Sequence, residues 1–243
     1  MRELADEAVV LRTWPEGEAD RTATLFTRTA GRVRVLAKGA RKPTSRLGAA
    51  LEPLAVVRVD LVQGRGERYI VRHVARVEHL ATLRASYERI AAGFAIVEAV
   101  DATPADHLAD EARFALLVRV LRALDDSALR PDLVPAAFYA RLLALDGLAL
   151  VLDACVNCGR VEPLVAFDAA TGGALCPECR RGRPLSAPAL ALLRRITGGD
   201  LANVLREEDP PGSAEARALL GGAIEEHLGR RLRTLADPPG APR

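Results

Sequence analysis

The chain has 243 residues, 49% of them hydrophobic and 27% charged, with 34 Lys/Arg against 32 Asp/Glu. That length allows one large domain or two to three small ones, and no apolar run reaches the about eighteen residues a transmembrane helix needs. Residues 1–7 are acidic and lack a signal-peptide core, so a cytoplasmic protein with reduced thiols is expected.

The net charge of +2 hides an asymmetry. Residues 1–80 carry 15 basic against 10 acidic side chains, and residues 81–243 carry 19 against 22. The basic excess sits in the N-terminal third, which points to an anionic partner there. Nearly all the cations are arginine, whose planar fork suits phosphate.

Residues 1–80 read as β. Residues 8–12 form a β-branched run, ended by Trp14-Pro15 and a turn at Glu16-Gly17. A second strand spans 22–29 and turns at Ala30-Gly31. Residues 32–35 alternate polar and apolar, the period of a half-buried strand. A fourth strand covers 54–62, ending at Gln63-Gly64-Arg65-Gly66, and a fifth covers 69–77. Five short strands in this length suit a small OB-type barrel. A β-sandwich is the competitor, and periodicity does not separate the two.

Between the third and fourth strands lies a basic loop, 38–46. From Arg28 to Arg46 there are seven basic residues (Arg28, Arg32, Arg34, Lys38, Arg41, Lys42 and Arg46) and no acidic one. Gly39, Pro43 and Gly48 favour a loop whose charges stand in water. Arg32 and Arg34 share one face of the third strand and would extend the loop's charge into a phosphate-binding groove; a merely solvated loop is the alternative. Trp14, Phe26 and Tyr69 read as core residues more readily than as base-stacking platforms, with Tyr69 sharing an apolar face with Val71 and Val77. Binding would then be dominated by phosphate contacts, salt-dependent and blind to base sequence.

From residue 81 the period becomes helical. Leu83, Tyr87, Ile90, Phe94 and Val97 fall on one helix face, interrupted at Thr103-Pro104. Phe114, Leu117, Leu121 and Leu124 form a second stripe. A third helix runs over 135–146 and stops at Gly147. Ser186 and Pro188 start another, with Leu190, Leu193 and Ile196 on one face. Ser213 is expected to cap a last helix bearing Leu220, Ile224, His227 and Leu228 and ending on the basic run Arg230, Arg231 and Arg233. Residues 237–243, rich in proline, are expected to be disordered. His73 and His227 read as satisfied inward histidines. Asp125-Asp126 and Glu207-Glu208 read as solvated loop charge.

All four cysteines lie in two C-x2-C pairs, Cys155/Cys158 and Cys176/Cys179, separated by seventeen residues. A C-x2-C turn aims two thiolates at one centre, and two such turns close a tetrahedral zinc shell. Residues 165–168 as a strand and a turn at 171–173 between the pairs give knuckle, hairpin, knuckle, the plan of a zinc ribbon at 151–185. Four thiolates leave no open position, so the Zn2+ is expected to be structural. Two disulfides or a redox pair fit less well. No phosphate loop, dinucleotide fingerprint, H-E-x-x-H or G-x-S-x-G elbow occurs, so a binding protein is expected, not an enzyme.

The domain expectation is thus 1–80 as a nucleic-acid-binding barrel, 81–236 as a helical domain with the zinc module, and 237–243 as a tail. Several stretches resemble the bacterial RecO family of recombination mediators. They are Glu18-Ala19-Asp20-Arg21, Leu25-Phe26-Thr27-Arg28, Gly31 and Ala37-Lys38-Gly39-Ala40-Arg41-Lys42 in the N-terminal part. Asp146-Gly147, the cysteine pairs and His227-Leu228-Gly229-Arg230-Arg231-Leu232 follow in the C-terminal half. Some members of that family lack the cysteines.

The resemblance implies an OB barrel on a helical, zinc-carrying domain. It implies binding of single- and double-stranded DNA, annealing of complementary strands and binding to the acidic tail of single-stranded DNA-binding protein (SSB). It also implies the partner RecR, with which the family helps load RecA onto SSB-coated DNA. On this chain it places Arg21, Arg28, Arg34, Lys38, Arg41 and Lys42 in the basic barrel region. The SSB tail, acidic and apolar, would suit Arg230, Arg231 and Arg233. The rivals are an RNA-binding zinc-ribbon transcription or translation factor and a pure protein adaptor.

Overall fold

The computed structural model describes residues 3–64, 66, 68–103 and 108–236. Arg65, Pro104, His107 and the expected tail 237–243 lie outside the described residues. The chain falls into two compact units, one of residues 1–85 and 100–125, the other of residues 86–99 and 126–243.

In the first unit, β1 (Glu3–Glu16), β2 (Asp20–Thr27), β3 (Gly31–Ala37), β4 (Val56–Gln63) and β5 (Tyr69–Arg76) close a barrel in the order β1-β2-β3-β5-β4, with β4 returning to β1. This is an OB-like barrel followed in the chain by a helical domain. Two pairings close it, the parallel contact of β3 with β5 and the antiparallel contact of β1 with β4.

β1 does not end at Trp14-Pro15. It runs 14 residues, pairing with β4 through Glu3–Val9 and with β2 through Ala8–Glu16. Pro15 is tolerated because a proline withdraws only a donor from the ladder at the end of the strand. Ala8, Val10, Leu25, Val33, Val35, Val57, Val59, Leu61, Tyr69, Val71 and Val74 fill the interior. Phe26 is also buried, whereas Trp14 is half-buried with the Arg12 guanidinium 5.8 Å over its ring.

His73 is exposed, not in the core. A register shift pairs Asp60 with His73 but Leu61 with Val71, leaving Arg72 as the extra residue of a bulge. The bulge moves the inward position from 73 to 74, which a strict period of two cannot anticipate. Val77 lies beyond β5 and is 43% exposed, so it does not share the face of Tyr69 and Val71.

A helix, α1 (Arg46–Ala50), stands where the sequence suggested only loop, capped by Ser45, whose Oγ accepts from Gly48 N. Five residues are too few to show a helical period. Gly48 packs so close that an added Cβ would meet the Ala40 carbonyl oxygen at 1.9 Å.

The helical stripe from residue 83 divides at Ser86 into α2 (Ala81–Ala85) and α3 (Tyr87–Ala102). Of the expected stripe, Leu83 and Val97 are buried and Ile90 is half-buried, whereas Tyr87 and Phe94 are 66% and 40% exposed. The main buried stripe of α3 is Ala92, Ala95, Ile96, Ala99 and Val100, spaced i, i+3, i+4, i+7 and i+8, with Val97 buried beside it. Small alanines carry it, which a count of large side chains misses.

α4 (Glu111–Asp125) buries Phe114, Leu117, Leu121 and Leu124 as expected and belongs with the barrel's unit. Asp125 is not simply solvated, because its Oδ1 accepts from Leu83 N at 2.9 Å.

In the second unit, α5 (Val134–Leu145), α6 (Ala187–Thr197) and α8 (Ser213–Leu228) pack on one another, with short helices α7 (Leu201–Val204) and α9 (Arg233–Ala236). Ser186 caps α6 through a bond from Ala189 N, and Leu190, Leu193 and Ile196 are buried. Ser213 does not cap α8. Gly212 stands at the N-cap with φ 84°, and the Ser213 hydroxyl donates back to the Pro210 carbonyl. Glu207 is paired with Arg195, so its charge is not free. α8 ends at Gly229, φ 62°, and the basic run Arg230–Arg233 therefore lies after the helix and not in its last turn. Glycine suits that left-handed position without a Cβ penalty.

A three-stranded sheet of β6 (Ala166–Asp168), β7 (Gly173–Leu175) and β8 (Arg183–Pro184) has the order β7-β6-β8. The third strand has only two residues, too few to be read from the sequence. No helix among the described residues is long and apolar enough to cross a membrane.

Candidate metal centre and nucleic-acid face

The β6–β7 hairpin holds both cysteine knuckles. Val156 N donates to Ala174 O on β7 at 3.0 Å, which hangs the first knuckle from that strand. The approach is close, since a Cβ on Gly173 would lie 2.7 Å from Val156 Cβ. Cys155 N donates to Arg160 O and Gly159 N to Cys155 O, folding Cys155 and Cys158 onto one side of a tight turn with Gly159 at φ 78°. The second knuckle leaves β7 directly at Cys176 and winds through the 3-10 turn Pro177–Cys179. An ion pair ties the two knuckles, Arg160 Nη1 to Glu178 Oε1 at 2.6 Å.

The four Sγ atoms lie within 4.8 Å of one another, the only such ligand group among the described residues. Cys158 and Cys176 Sγ are 3.7 Å apart. Four sulfurs about 2.3 Å from one zinc would be separated by about 3.8 Å in a tetrahedron. The four-thiol donor set therefore fits zinc and leaves no position open. Burial pushes the Cys155 thiol up, but the backbone N–H groups of Cys176, Cys158 and Asn157 outweigh it and bring the thiol down to about 6. Burial leaves Cys176 raised. Cys155 and Cys176 are buried, Cys179 is half-buried and Cys158 is exposed.

On the barrel, the expected basic residues divide into two sets. Arg21 Nη1 donates to the carbonyls of Gly48 and Leu51, tying β2 to the end of α1. Arg28 pairs with Glu7 and lies 5.2 Å from the Phe114 ring centroid. Arg32 is paired with Asp101, its side chain 16% exposed. These three are held by intramolecular contacts. Arg34, Lys38, Lys42 and Arg46 are exposed with no side-chain partner among the described residues, and Arg41 is exposed with one bond, to the Gly17 carbonyl.

The loop that carries them is ordered by its backbone. Gly39 N donates to Asp20 Oδ1 at 2.7 Å, Arg41 N to Ala19 O at 2.9 Å and Ser45 N to Lys42 O at 2.9 Å. Such fixing lowers the entropy lost when the cations engage an anion. Arg72, the bulge residue of β5, is a further exposed cation without a side-chain partner among the described residues. Sequence reasoning missed it because it lies outside 28–46. Only the parallel pairing of Leu36 with Ile70 shows that its strand runs beside β3.

Near the far end of the chain, Arg230, Arg231 and Arg233 are exposed. Their segment is anchored by Glu98, which accepts from Arg233 N, Thr234 N and Thr234 Oγ1 at 3.0, 3.0 and 2.7 Å. His227 is a satisfied histidine, with Nε2 2.7 Å from Asp146 Oδ2.

The model of the N-terminal domain of recombination protein O matches residues 1–77, and that of its C-terminal domain matches residues 84–236. The chain belongs to the RecO family. It is 39% identical over 232 residues to the DNA repair protein RecO of Anaeromyxobacter sp. (strain K), covering 92% of this chain and 91% of that protein. It is 36% identical over 233 residues to the DNA repair protein RecO of Frankia casuarinae, covering 95% and 96%. RecO membership makes this a protein of DNA repair and recombination. The two matched segments meet the OB-like barrel and the helical domain with its four-cysteine cluster.

Proposed function

We propose that this chain is a non-catalytic recombination mediator. It binds single- and double-stranded DNA through the barrel, anneals complementary strands and, with RecR, helps load RecA onto single-stranded DNA coated by SSB. The observation that carries the reading is the row of exposed cations Arg34, Lys38, Arg41, Lys42 and Arg46 on an ordered loop and its adjoining strand and helix, in a chain of the RecO family. Arg21, Arg28 and Arg32 shape the surface behind that row, and Arg72 adds to it.

Annealing requires two polyanions brought together with their bases still free. Cations that hold phosphates do this, provided few aromatics trap the bases. Phe26 and Tyr69 are buried, so neither offers a ring face for stacking. The four cysteines hold one structural zinc, whose loss would unfold the ribbon. The exposed Arg230, Arg231 and Arg233 offer cations to the acidic SSB tail. The protein works in the cytoplasm, where its thiolates stay reduced.

The test is the rate at which SSB-coated complementary strands anneal when the protein is added, with intact SSB and with SSB lacking its acidic tail. Fast annealing that needs the tail supports the reading. No annealing with either, by folded metal-loaded protein, overturns it and leaves a protein adaptor or an RNA-binding zinc-ribbon factor.

A further inference from the structure

The four thiols are not equivalent. Cys155 and Cys176 are buried. Cys179 is half-buried, and its Sγ accepts from Asn157 Nδ2 at 3.2 Å. An N–H···S bond withdraws electron density from sulfur and covers part of its surface. Cys158 is the one exposed thiol. Cys176 Sγ of the opposite knuckle lies 3.7 Å from it. Thiolate character, access and a nearby resolving thiol are what make a cysteine open to oxidation.

We propose that Cys158 is a modification site for peroxides, with Cys176 as its resolving partner, so that oxidation expels the metal and links the two knuckles. This rests on the zinc reading given above. In the first step Cys158 thiolate attacks hydrogen peroxide. An S–O bond forms, the O–O bond breaks and hydroxide leaves, giving the sulfenic acid. In the second, Cys176 thiolate attacks Cys158 Sγ. The S–S bond forms, the S–O bond breaks and a second hydroxide leaves. Two thiolates lose two electrons in all, and one peroxide is reduced. Two of the four ligands are consumed, and a site left with Cys155 and Cys179 releases its cation.

The arrangement differs from the usual expectation for C-x2-C pairs, in which each pair closes on itself. Asn157 sits between the two outcomes. Its amide covers Cys179, so the partly exposed member of the second knuckle is shielded while Cys158 is left open.

The experiment uses the full-length, metal-loaded protein. Metal content is measured first. Hydrogen peroxide is then added up to one equivalent, zinc release is followed with a chromogenic chelator, and cysteine states are mapped by differential alkylation and peptide mass spectrometry. The expected result is loss of Cys158 alkylation ahead of the other three, a Cys158–Cys176 disulfide, and release of one zinc per disulfide. Asn157→Ala, which removes no ligand, is expected to keep its metal and raise Cys179 oxidation several-fold.

A Cys155–Cys158 or Cys176–Cys179 disulfide as the first product overturns the proposal. So does oxidation of Cys179 ahead of Cys158 in the unaltered protein. A protein that carries no metal when purified from metal-replete cells overturns the zinc reading itself, which metal-loaded protein with the wrong disulfide does not.

Discussion

His227 Nε2 lies 2.7 Å from Asp146 Oδ2, so two residues 81 positions apart tie α8 to the C-cap of α5. Each belongs to a short stretch that carries the likeness to RecO, Asp146-Gly147 and His227-Leu228-Gly229. The pair is mostly shielded, with side-chain exposures of 23% and 17%. His227→Ala should lower the unfolding free energy by about 1–3 kcal/mol, the range for a part-buried hydrogen bond with a charged partner. Denaturant unfolding measures this, and a cycle with Asp146→Ala should show a coupling clearly different from zero. Simple additivity would mean the contact contributes nothing.

Reversing Arg34, Lys38 and Lys42 to glutamate should abolish annealing without lowering the thermal midpoint, because none of the three side chains has a partner to lose among the described residues. Each phosphate contact removed should also flatten the salt dependence of single-strand binding, by about 0.7 in the log–log slope. Unchanged annealing by a folded triple variant removes the loop from the DNA-binding surface. Arg21→Ala should behave in the opposite way. It deprives the Gly48 and Leu51 carbonyls of a donor, so a fall in stability is expected first.

Cys176→Ser should remove the metal and lower the melting temperature, since the second knuckle starts at this buried residue directly after β7. A chelator strong enough to strip zinc should reproduce the shift in the unaltered protein. Calorimetry with metal analysis checks both. If stability held while only DNA binding fell, the metal would have a role other than a structural one.

Acid should loosen α9. Burial pushes the Glu98 carboxyl up, but the donors of Thr234 and Arg233 more than offset it and leave the group below the ordinary carboxylate range. A carboxylate depressed in the folded state contributes stability above its unfolded pKa and loses it as pH falls through the folded one. Amide exchange at Thr234 should therefore be slow at neutral pH and speed up below the ordinary carboxylate range. Glu98→Gln should show fast exchange already at neutral pH, with the acid dependence gone. A pH profile unaltered by Glu98→Gln would mean another group anchors the segment.

The strands of the barrel, the three helices over 111–145 and 187–197, and the clustering of the four cysteines were all legible in the sequence. Each depends on a short-range pattern. Alternation marks β3, an i, i+3, i+4 stripe marks α4, and the x2 spacing marks the knuckles. Legibility failed where the pattern was interrupted or too short. The bulge at Arg72 put His73 in solvent. The break at Ser86, with a buried face made of alanines, left Tyr87 and Phe94 exposed. α1 and β8 have 5 and 2 residues, fewer than a period needs to declare itself.

The sequence by itself determined what kinds of element this protein has and which cysteines pair into knuckles, together with the basic bias of its N-terminal third, because those follow from local periodicity, turn chemistry and composition. The tertiary structure alone decided that the five strands close into a barrel, through β1 meeting β4 and β3 running parallel to β5. It also decided which of eight basic residues are held within the fold and which stand free of side-chain partners among the described residues, and which of four thiols is exposed. Partners and exposure are set by groups distant in sequence. Asp101 meets Arg32 from 69 residues away, and Cys176 meets Cys158 across a hairpin. No local pattern encodes such meetings, since they exist only once the backbone has closed.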